Sequence, residues 1–364
     1  MPNKVANILM AGGGTGGHLF PALAIADEVK KQNPKAVFLF AGTRDKIEAR
    51  VVPQRGYKFV TIWISGFHRS LRLQNLLFPV KIVVALIQSF FLIKEFRPDV
   101  VVGTGGYVCG PVLFVASLLG IPTVVHESNS YPGITTRLLS GRATRVFTAF
   151  EATNRWLKRT DNVELVGTPT REALDNVSRQ SAFKFFGLDE KKQTVLVFGG
   201  SLGATSVNRV MVQVVDNLVA RGVQFIWQTG EDDYSDLNSR MSGKSIGWIG
   251  AFIDRMDYAY AAADIVVSRS GATTIAELTR LGKPAILVPY PFAAADHQTM
   301  NARTIAEQGA AAIVADKDAE ILLGKTIFEL LGDRARMESM AKAGRLLGRP
   351  DAAKVIAGKI LNLV

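Results

Sequence analysis

The sequence has a single cysteine, Cys109, among its 364 residues. One thiol excludes an intrachain disulfide and a cysteine-based metal cluster, and such sparing use of cysteine is typical of a reducing compartment. The first ten residues, Met1 to Met10, lack the long apolar core and the small-residue cleavage site of a signal peptide. We therefore expect a cytoplasmic protein.

Acidic residues are too few to balance the basic ones. The chain has 32 Asp and Glu against 43 Lys and Arg, which gives a formal net charge of +11. This excess predicts an anionic partner: a nucleic acid, an acidic membrane surface or a phosphorylated substrate. The sequence contains no RNP, KH or basic-helix signature, so a nucleic-acid-binding protein is the disfavoured alternative.

The sequence also lacks an apolar run long enough to cross a membrane. Its most hydrophobic stretch, residues 76–93, is interrupted by a proline, a lysine and a glutamine, and its longest uncharged piece is 82–93. A bilayer span needs about 20 residues. The stretch is either a helix buried in the core or a patch that enters a membrane surface, where basic side chains would meet anionic headgroups. Those side chains are His68, Arg69, Arg72 and Lys81.

Short β-branched runs bounded by glycine alternate with helix-length segments along the whole chain. Runs without polar alternation predict parallel strands buried on both faces, so the sequence predicts a doubly wound α/β fold, formed twice. The predicted strands fall into two sets, separated by a break near residues 166–169 and a polar helix at 172–187. A last helix at 352–361 follows the second set of strands. The predicted strands are 5–10, 36–41, 100–103, 123–126, 145–148, 194–198, 224–228, 245–248, 265–268 and 285–289.

The first glycine-rich turn, AGGGTGGH at residues 11–18, matches the dinucleotide pattern G-x-G-x-x-G. That pattern also needs an acid at the end of the second strand, but the acid nearest that strand end, Asp45, comes too late. We therefore favour glycine amides and a helix N-terminus that face a phosphate-like anion, with His18 at the mouth of the site. A turn needed only for helix–strand packing is the alternative.

The second glycine-rich turn, FGGSLGA at 198–204, contains the G-x-S-x-G pattern of a hydrolase nucleophile elbow. A hydrolase would take its acid and histidine from later in the chain, where order alone allows Asp264 and His297. However, this turn opens a new half of the chain instead of lying midway through one sheet. We favour Ser201 and the turn amides as a second phosphate site.

Polar motifs follow other predicted strands. Glu277 lies one helical turn into the segment SGATTIAE and is suited to accept two ribose hydroxyls, although helix dipoles also favour such a carboxylate without any ligand. The cluster DHQTMN at 296–301 suits sugar hydroxyls or ordinary helix caps. In the first half, the segments 103–107 and 126–129 follow strands and are predicted at the same sheet edge as His18.

No motif predicts a catalytic metal, because the sequence has no H-x-x-x-H pattern and no cysteine cluster. Asp316 and Asp318 match D-x-D by spelling only. We expect them in a polar loop far from the other motifs.

Taken together, these segments resemble the MurG family, bacterial transferases that add N-acetylglucosamine to undecaprenyl-linked muramyl-pentapeptide. The chain departs from the family pattern at Ser128, where glutamine is frequent, and at Thr168, where asparagine is frequent. The matching segments occur in the family's order over nearly the whole chain: GGGTGGH (12–18), GGYV (105–108), HESN (126–129), GTPTR (167–171), GGSLGA (199–204), FIDRM (252–256), RSGATTIAE (269–277) and DHQTMN (296–301).

The resemblance implies a GT-B fold, an α/β architecture of two Rossmann-like doubly wound parallel-sheet domains facing a cleft, with the C-terminal helix crossing back to the first domain. Residues 1–165 plus 349–364 would bind the acceptor and dock on the membrane, and 166–348 would bind UDP-N-acetylglucosamine. The implied reaction transfers the sugar to the C4 hydroxyl of lipid I with inversion of configuration at the anomeric carbon. The product would be lipid II, which serves peptidoglycan synthesis, cell shape and division.

The resemblance also implies partners and a location. The partners would be UDP-N-acetylglucosamine, lipid I, the anionic membrane surface, and proteins of cell-wall synthesis and division, without nucleic acid, metal or cofactor. The enzyme would be peripheral on the cytoplasmic face of the cell inner membrane.

Motif matching also implies site residues. His18 is the first choice as general base, with His126 and Glu127 as alternate or supporting residues. Arg171 and Ser201 would face the diphosphate, Ile253 the uracil through its backbone, and Gln298 the sugar. The remaining donor-binding positions are Thr15, Gly16, Gly17, Asn129, Ala272, Thr273, Thr274, Ile275, Ala276 and Glu277. The acceptor-binding positions are Gly13, Gly14, Gly105, Gly106 and Tyr107.

Two other functions compete with this interpretation. A UDP-N-acetylglucosamine 2-epimerase has a similar fold and binds the same nucleotide sugar, but it does not need the apolar stretch at 76–93. A structural membrane scaffold would leave His18 and Glu277 without a role.

Overall fold

The chain folds into two α/β units, and the computed structural model describes residues 5–66, 77–170, 172–200 and 203–364. Unit 1 comprises Met1–Thr170 with Pro350–Val364, and unit 2 comprises Arg171–Arg349. The sequence prediction placed the two boundaries after residues 165 and 348, a few residues earlier.

Both units are built on parallel sheets. In the described part of unit 1 the strands are β1 (Asn7–Gly12), β2 (Val37–Gly42), β3 (Lys58–Thr61), β4 (Val100–Gly105), β5 (Thr123–Glu127), β6 (Arg145–Thr148) and β7 (Val163–Leu165), in the order β3-β2-β1-β4-β5-β6-β7. In that of unit 2 they are β8 (Gln193–Phe198), β9 (Val223–Gln228), β10 (Gly247–Gly250), β11 (Ile265–Ser268), β12 (Ala285–Leu287) and β13 (Ala312–Ile313), in the order β10-β9-β8-β11-β12-β13.

Helices connect the strands of each sheet. The helices are α1 (Gly16–Gln32), α2 (Ile47–Gln54), α3 (Phe78–Phe96), α4 (Cys109–Leu118), α5 (Ile134–Leu139), α6 (Arg179–Phe186), α7 (Thr205–Ala220), α8 (Glu231–Met241), α9 (Met256–Ala262), α10 (Ala272–Leu281), α11 (His297–Ala306), α12 (Ala319–Gly332), α13 (Arg334–Leu347) and α14 (Ala352–Leu361). Short 3-10 helices cover Glu151–Trp156, Glu172–Asp175, Ala294–Asp296 and Asp316–Asp318.

The central strands are buried on both faces, as the unalternating sequence runs predict. Ile8, Leu9 and Met10 of β1 are all fully buried, and Leu9 pairs with Val101 of β4. Alternate residues of β1 belong to different cores, because Ile8 and Met10 pack toward α1 whereas Leu9 packs toward α4. This two-sided burial confirms the doubly wound parallel architecture.

The last helix returns to the first unit, as expected. Ile356 and Ile360 of α14 are buried in the same core as Leu23 of α1, and the Gln32 side chain donates to the Lys354 carbonyl at 3.3 Å. Lys359 also forms an ion pair with Glu164 of β7 at 3.2 Å. The C-terminal segment therefore completes the core of unit 1.

Helix α3 decides between the two interpretations of the apolar stretch. Only Ala85, Ser89 and Ile93, spaced four residues apart, are buried, so one narrow stripe of the helix packs on the unit. Val83, Phe91 and their apolar neighbours face outward; Phe91 is 65% exposed. The interpretation as a helix buried on most sides is therefore wrong. Of the flanking basic residues, His68, Arg69 and Arg72 lie outside the described residues.

In the described ranges of the chain, no helix has both the length and the apolar character needed to cross a membrane.

Candidate active site

Unit 1 gathers three of the predicted motifs at one sheet edge, because β1, β4 and β5 are parallel neighbours and end side by side. The loops after β1 and β4 touch directly. A Cβ on Gly106 would lie 2.4 Å from the Gly13 carbonyl oxygen, and a Cβ on Gly105 would lie 2.4 Å from Cδ2 of His18. Only glycine fits at both positions, since any side chain would separate the loops.

His18 lies at the start of α1, half-buried against Gly105. Its Nδ1 is 3.2 Å from the Gly13 carbonyl oxygen and 3.3 Å from the Thr15 hydroxyl. Because a carbonyl only accepts hydrogen bonds, Nδ1 carries the proton and Nε2 carries the lone pair. The Thr104 hydroxyl donates to the His18 carbonyl at 2.8 Å and fixes the backbone. This tautomer suits His18 as a general base.

Glu48 is a functional candidate that sequence reasoning missed. Its side chain is fully buried beneath the first glycine turn, where it accepts from the Gly14 amide at 2.9 Å. It also accepts from the Thr43 amide at 3.0 Å and the Thr43 hydroxyl at 2.7 Å. The Gly14 amide is therefore used within the chain and is not one of the glycine amides that could face an anion. Among the described residues, the amides of Gly16 and Gly17 at the start of α1 make no hydrogen bond.

His126 differs from His18 in its surroundings. Its side chain is fully buried, with Nε2 3.0 Å from the Gly167 carbonyl oxygen and Nδ1 3.4 Å from the Ser128 hydroxyl. Burial lowers the pKa of the His126 imidazole. A buried imidazole engaged with a carbonyl does not reach a substrate in this conformation, so of its two predicted roles the geometry favours support over direct catalysis.

Glu127 organises the loop that follows β5. One carboxylate oxygen accepts from the amide and the side chain of Asn129 at 3.0 and 3.2 Å. The other accepts from the Gly133 amide at 3.0 Å and the Thr136 hydroxyl at 2.6 Å, at the start of α5. Four donors fill this carboxylate, so it positions Asn129 and the loop. The predicted acceptor residue Tyr107 is exposed, and its ring packs against Gly66.

The lone cysteine is structural. The Cys109 thiol donates to the Ala11 carbonyl at 2.7 Å and accepts from the Gly105 amide at 3.2 Å, which ties β1 to the loop after β4. Burial raises the pKa of the Cys109 thiol to about 12. At neutral pH it is a protonated, unreactive group.

In unit 2, the second glycine-rich turn is fixed by Gln228, a residue that sequence reasoning also missed. Its side-chain amide donates to the Gly200 carbonyl at 2.7 Å, and its oxygen accepts from the Ile253 amide at 2.9 Å. The Ile253 N–H is thus occupied, so its carbonyl is the backbone group that would meet a uracil. Arg171 and Ser201, the predicted diphosphate residues, lie outside the described residues.

The segment after β11 places the N-terminus of α10 at the same sheet edge. The residues predicted to bind the donor, 272–276, begin this helix. The amides of 272–274 have no partner in a preceding helical turn, whereas the Ile275 amide donates to the Gly271 carbonyl at 3.0 Å. Glu277 follows them and is buried, with one carboxylate oxygen accepting from the Tyr260 hydroxyl at 2.9 Å. Tyr260 therefore joins the candidate residues, and the helix-dipole alternative for Glu277 stays open.

Asp316 lies against a motif, which corrects the expectation that it lies far from all of them. Its carboxylate accepts from the Arg269 guanidinium and from the Ser206 hydroxyl. Arg269 immediately precedes the SGATT segment and also donates to the Val288 carbonyl at 3.1 Å. This partly buried ion pair joins the loops after β11 and β13.

Gln298 lies at the start of α11, near the loop after β12. Its side-chain oxygen accepts from the Tyr290 amide at 3.0 Å, and its carbonyl accepts from the Ser270 hydroxyl at 2.8 Å. Ala295 and Asp296, just before the helix, both adopt left-handed conformations with φ of 52° and 54°. Left-handed backbone in residues other than glycine costs about 1–3 kcal/mol each and is found preferentially at functional sites.

The hydrolase interpretation fails on topology. Asp264 precedes β11 and accepts from the Thr194 amide near the start of β8 at 2.7 Å, while Arg179 forms an ion pair with it at 2.8 Å. It is therefore at the amino end of strands whose carboxyl ends carry the glycine turn. Asp264 and the glycine turn therefore lie at opposite ends of the sheet, which excludes Asp264 as the acid of a nucleophile elbow at that turn.

Comparison with protein families covers most of the chain. Residues 8–148 match the glycosyltransferase family 28 N-terminal domain, and residues 194–356 match the glycosyltransferase family 28 C-terminal domain.

The chain is also similar to full-length proteins. A protein of Flavobacterium psychrophilum named UDP-N-acetylglucosamine–N-acetylmuramyl-(pentapeptide) pyrophosphoryl-undecaprenol N-acetylglucosamine transferase is 45% identical, over 98% of this chain and 97% of its own length. A protein of Salinibacter ruber with the same name is 42% identical, over 100% of this chain and 98% of its own length.

Solved structures agree with this relationship. The crystal structure of Acinetobacter baumannii MurG superposes with a TM-score of 0.78 at 28% identity and covers 98% of this chain and 99% of its own. A UDP-GlcNAc 2-epimerase from Neisseria meningitidis bound to UDP-GlcNAc superposes with a TM-score of 0.70 at 15% identity and covers 98% of this chain and 100% of its own. At that identity the likeness shows a shared fold alone. The chain is therefore a member of the MurG family within glycosyltransferase family 28, a UDP-N-acetylglucosamine-dependent glycosyltransferase of GT-B fold.

Proposed function

We propose that this chain transfers N-acetylglucosamine from UDP-N-acetylglucosamine to the C4 hydroxyl of undecaprenyl-diphosphate-N-acetylmuramyl-pentapeptide, with inversion at the anomeric carbon. The observation that carries the proposal is the match, over nearly full length and at 42–45% identity, to enzymes named for this transfer. The proposed transfer converts lipid I into lipid II in peptidoglycan synthesis.

The donor binds to unit 2 in this proposal. The first-turn amides of α10 and the positive end of its helix dipole face the phosphates, and Arg171 and Ser201 add donors by motif match. Glu277, held by Tyr260, accepts ribose hydroxyls, and Gln298 contacts the sugar. Gln228 supports this site because it orders both the glycine turn and the loop that carries Ile253.

The acceptor reacts against unit 1. His18 Nε2 takes the proton from the C4 hydroxyl, the oxygen forms its bond to the anomeric carbon, and the bond from that carbon to UDP breaks. UDP leaves with the bonding electron pair, and the amide donors stabilise its added negative charge. Gly13, Gly14, Gly105, Gly106 and Tyr107 shape the acceptor-binding edge, with Glu127 and His126 holding the neighbouring loop.

The enzyme works as a peripheral protein on the cytoplasmic face of the cell membrane. The outward face of α3 carries Val83, Ile87 and Phe91, each more than half exposed, and Lys81 and Lys94 lie on the same helix. Apolar side chains beside basic ones suit an anionic bilayer surface, where a lipid-linked acceptor would be presented. Proteins of cell-wall synthesis and division are further partners in this proposal.

The proposal is tested by incubating the purified protein with UDP-N-acetylglucosamine, with and without a short-chain lipid I analogue. We expect UDP release only with the acceptor, matched by formation of a β-linked disaccharide. UDP-N-acetylmannosamine or free UDP formed without the acceptor would instead identify an epimerase or a hydrolase.

A further inference from the structure

One buried carboxylate has no role in the proposed mechanism. Glu48 is in the first turn of α2, and its side chain lies entirely beneath the first glycine turn. The carboxylate accepts from three donors, two on Thr43 and one on Gly14. Burying a carboxylate is costly unless hydrogen bonds compensate, so this arrangement depends on the glycine turn remaining in place.

The Glu48 contact leads directly to His18 through one peptide unit. The Gly14 N–H that donates to Glu48 at 2.9 Å belongs to the same peptide group as the Gly13 carbonyl. That carbonyl lies 3.2 Å from Nδ1 of His18. The structure therefore contains a continuous series of hydrogen bonds from carboxylate to peptide to imidazole.

Close packing holds the shared peptide in a single orientation. A Cβ on Gly13 would lie 2.4 Å from the Glu48 carboxyl carbon, and a Cβ on Gly106 would lie 2.4 Å from the Gly13 oxygen. The Glu48 carboxylate thus packs against one side of Gly13, and the loop after β4 packs against the Gly13 carbonyl on the other side. A peptide flip would break both hydrogen bonds at once.

We propose that Glu48 is a positioning residue that sets the tautomer and the basicity of His18 through the Gly13–Gly14 peptide. An N–H bonded to a carboxylate makes the carbonyl of the same peptide a stronger acceptor, because hydrogen bonds in series polarise one another. The stronger acceptor holds the proton on Nδ1, keeps the lone pair on Nε2, and stabilises the imidazolium that forms when Nε2 takes the acceptor proton. This inference rests on the proposed role of His18 as the base.

The other titratable groups near His18 act differently. His126, on β5, would oppose a positive charge on His18 only when it is itself protonated, and burial lowers its pKa. The Glu127 carboxylate beside it is occupied by four donors. Cys109, on α4, is a neutral thiol bonded to Gly105, which packs on the His18 ring. Among these described groups, Glu48 is the acid with a hydrogen-bonded route to Nδ1.

The direct test is nitrogen NMR of histidine-labelled protein, in which the four histidines are assigned by single substitutions. Wild-type His18 should be the Nδ1–H tautomer when neutral. In Glu48→Gln, the amide replaces the carboxylate without changing its size, so the Nε2–H tautomer should become populated and the pKa of His18 should fall.

Kinetics provide a second readout. Glu48→Gln should lower kcat about 10- to 100-fold, the range found when an outer hydrogen-bond partner that orients a metal-bound histidine is removed. The KM for UDP-N-acetylglucosamine should stay near wild type, because Glu48 hydrogen-bonds to Gly14 and Thr43 and to none of the donor-binding positions predicted in either unit. The acid limb of the kcat–pH profile should move toward lower pH, as expected for a less basic His18.

Thr43→Val is the matched control. It removes the hydroxyl donor from one Glu48 oxygen and leaves the Gly14 contact on the other. The His18 tautomer and kcat should therefore stay near wild type. A lowered kcat in both variants with an unchanged His18 tautomer would make Glu48 a merely structural residue and overturn the inference.

Wild type alone also tests the inference if Glu48→Gln does not fold, because an Nε2–H tautomer in wild type would overturn it. Failure of the base assignment is distinguishable, since normal turnover of His18→Ala would remove His18 from catalysis without altering the tautomer result.

Discussion

The two histidines at the edge of unit 1 differ in the property that decides what each can do. His18 is half-buried with its Nδ1 against the Gly13 carbonyl, whereas His126 is fully buried with its Nε2 against the Gly167 carbonyl. Neighbouring residues in the sequence do not reveal this difference, because the partners of each imidazole come from its fold. The geometry makes one a candidate base and the other a support.

The burial of His126 predicts a pH dependence of stability. Its pKa is lowered in the folded state, so below about pH 6.5 the unfolded chain binds a proton that the native chain does not. The free energy of unfolding of unit 1 should therefore fall as pH decreases from 6.5, by up to about 1.4 kcal/mol per pH unit until the native pKa is reached. In His126→Gln, whose amide can still donate to Gly167, this dependence should be smaller.

Labelling of Cys109 measures this effect, because it is the single cysteine and is buried in unit 1. Its labelling rate in denaturant, divided by that of an unstructured peptide at the same pH, reports the opening of the unit. An identical pH dependence in wild type and His126→Gln would contradict the assignment.

Several site residues could not have been predicted from one sequence. Glu48, Gln228 and Tyr260 act through hydrogen bonds to residues 17 to 34 positions away, and nothing local marks them. Asp316 was expected to lie far from the other motifs for the same reason, since its partner Arg269 is 47 residues away in the sequence. Glycine turns and polar residues after strands were predictable, because parallel strands end at one edge.

At the scale of elements, the strands inside each sheet were predictable and three strands at the sheet edges were not. The predictions for β6 and β11 match the structure exactly at both ends, whereas β3, β7 and β13 were missed. Those three have four, three and two residues and lie at or near the sheet edges, where burial leaves little hydrophobic pattern. Helix α1 begins at Gly16, so the glycine run of the first turn is partly helical.

The second glycine turn offers a prediction with its own control. Gly200 and Gly203 both have positive φ, but their surroundings differ. A Cβ on Gly203 would lie 2.2 Å from the Thr229 carbonyl oxygen, whereas a Cβ on Gly200 would have no atom of the described residues within 4 Å. Gly200→Ala should cost about 1–2 kcal/mol of stability from backbone strain alone. Gly203→Ala should cost more and should weaken UDP binding, because it displaces the turn from β9.

Thermal denaturation and calorimetric titration with UDP measure both effects. Equal losses of stability and affinity in the two variants would show that the close approach at Gly203 does not matter.

At the scale of the whole molecule, the net charge of +11 and the outward face of α3 point to an anionic surface. Ile87→Asp combined with Phe91→Asp should reduce binding to anionic vesicles more than tenfold, because each buried apolar side chain contributes about 1.5–3 kcal/mol. The control is Ile321→Asp with Leu346→Asp, two exposed residues of unit 2 that receive the same charge change.

Sedimentation with phosphatidylglycerol and with phosphatidylcholine vesicles measures this binding. Equal losses in the two double variants would mean that charge alone governs binding and that α3 has no special role.

The proposed mechanism assigns proton transfer to His18 in unit 1 and ribose binding to Glu277 in unit 2. The measurement that tests it is the steady-state kinetics of His18→Ala beside Glu277→Ala, with UDP-N-acetylglucosamine and a lipid I analogue both varied. We predict that His18→Ala lowers kcat about 100-fold or more with donor KM retained, and that Glu277→Ala mainly raises donor KM. Near-normal turnover in His18→Ala, with tight donor binding, would contradict the account.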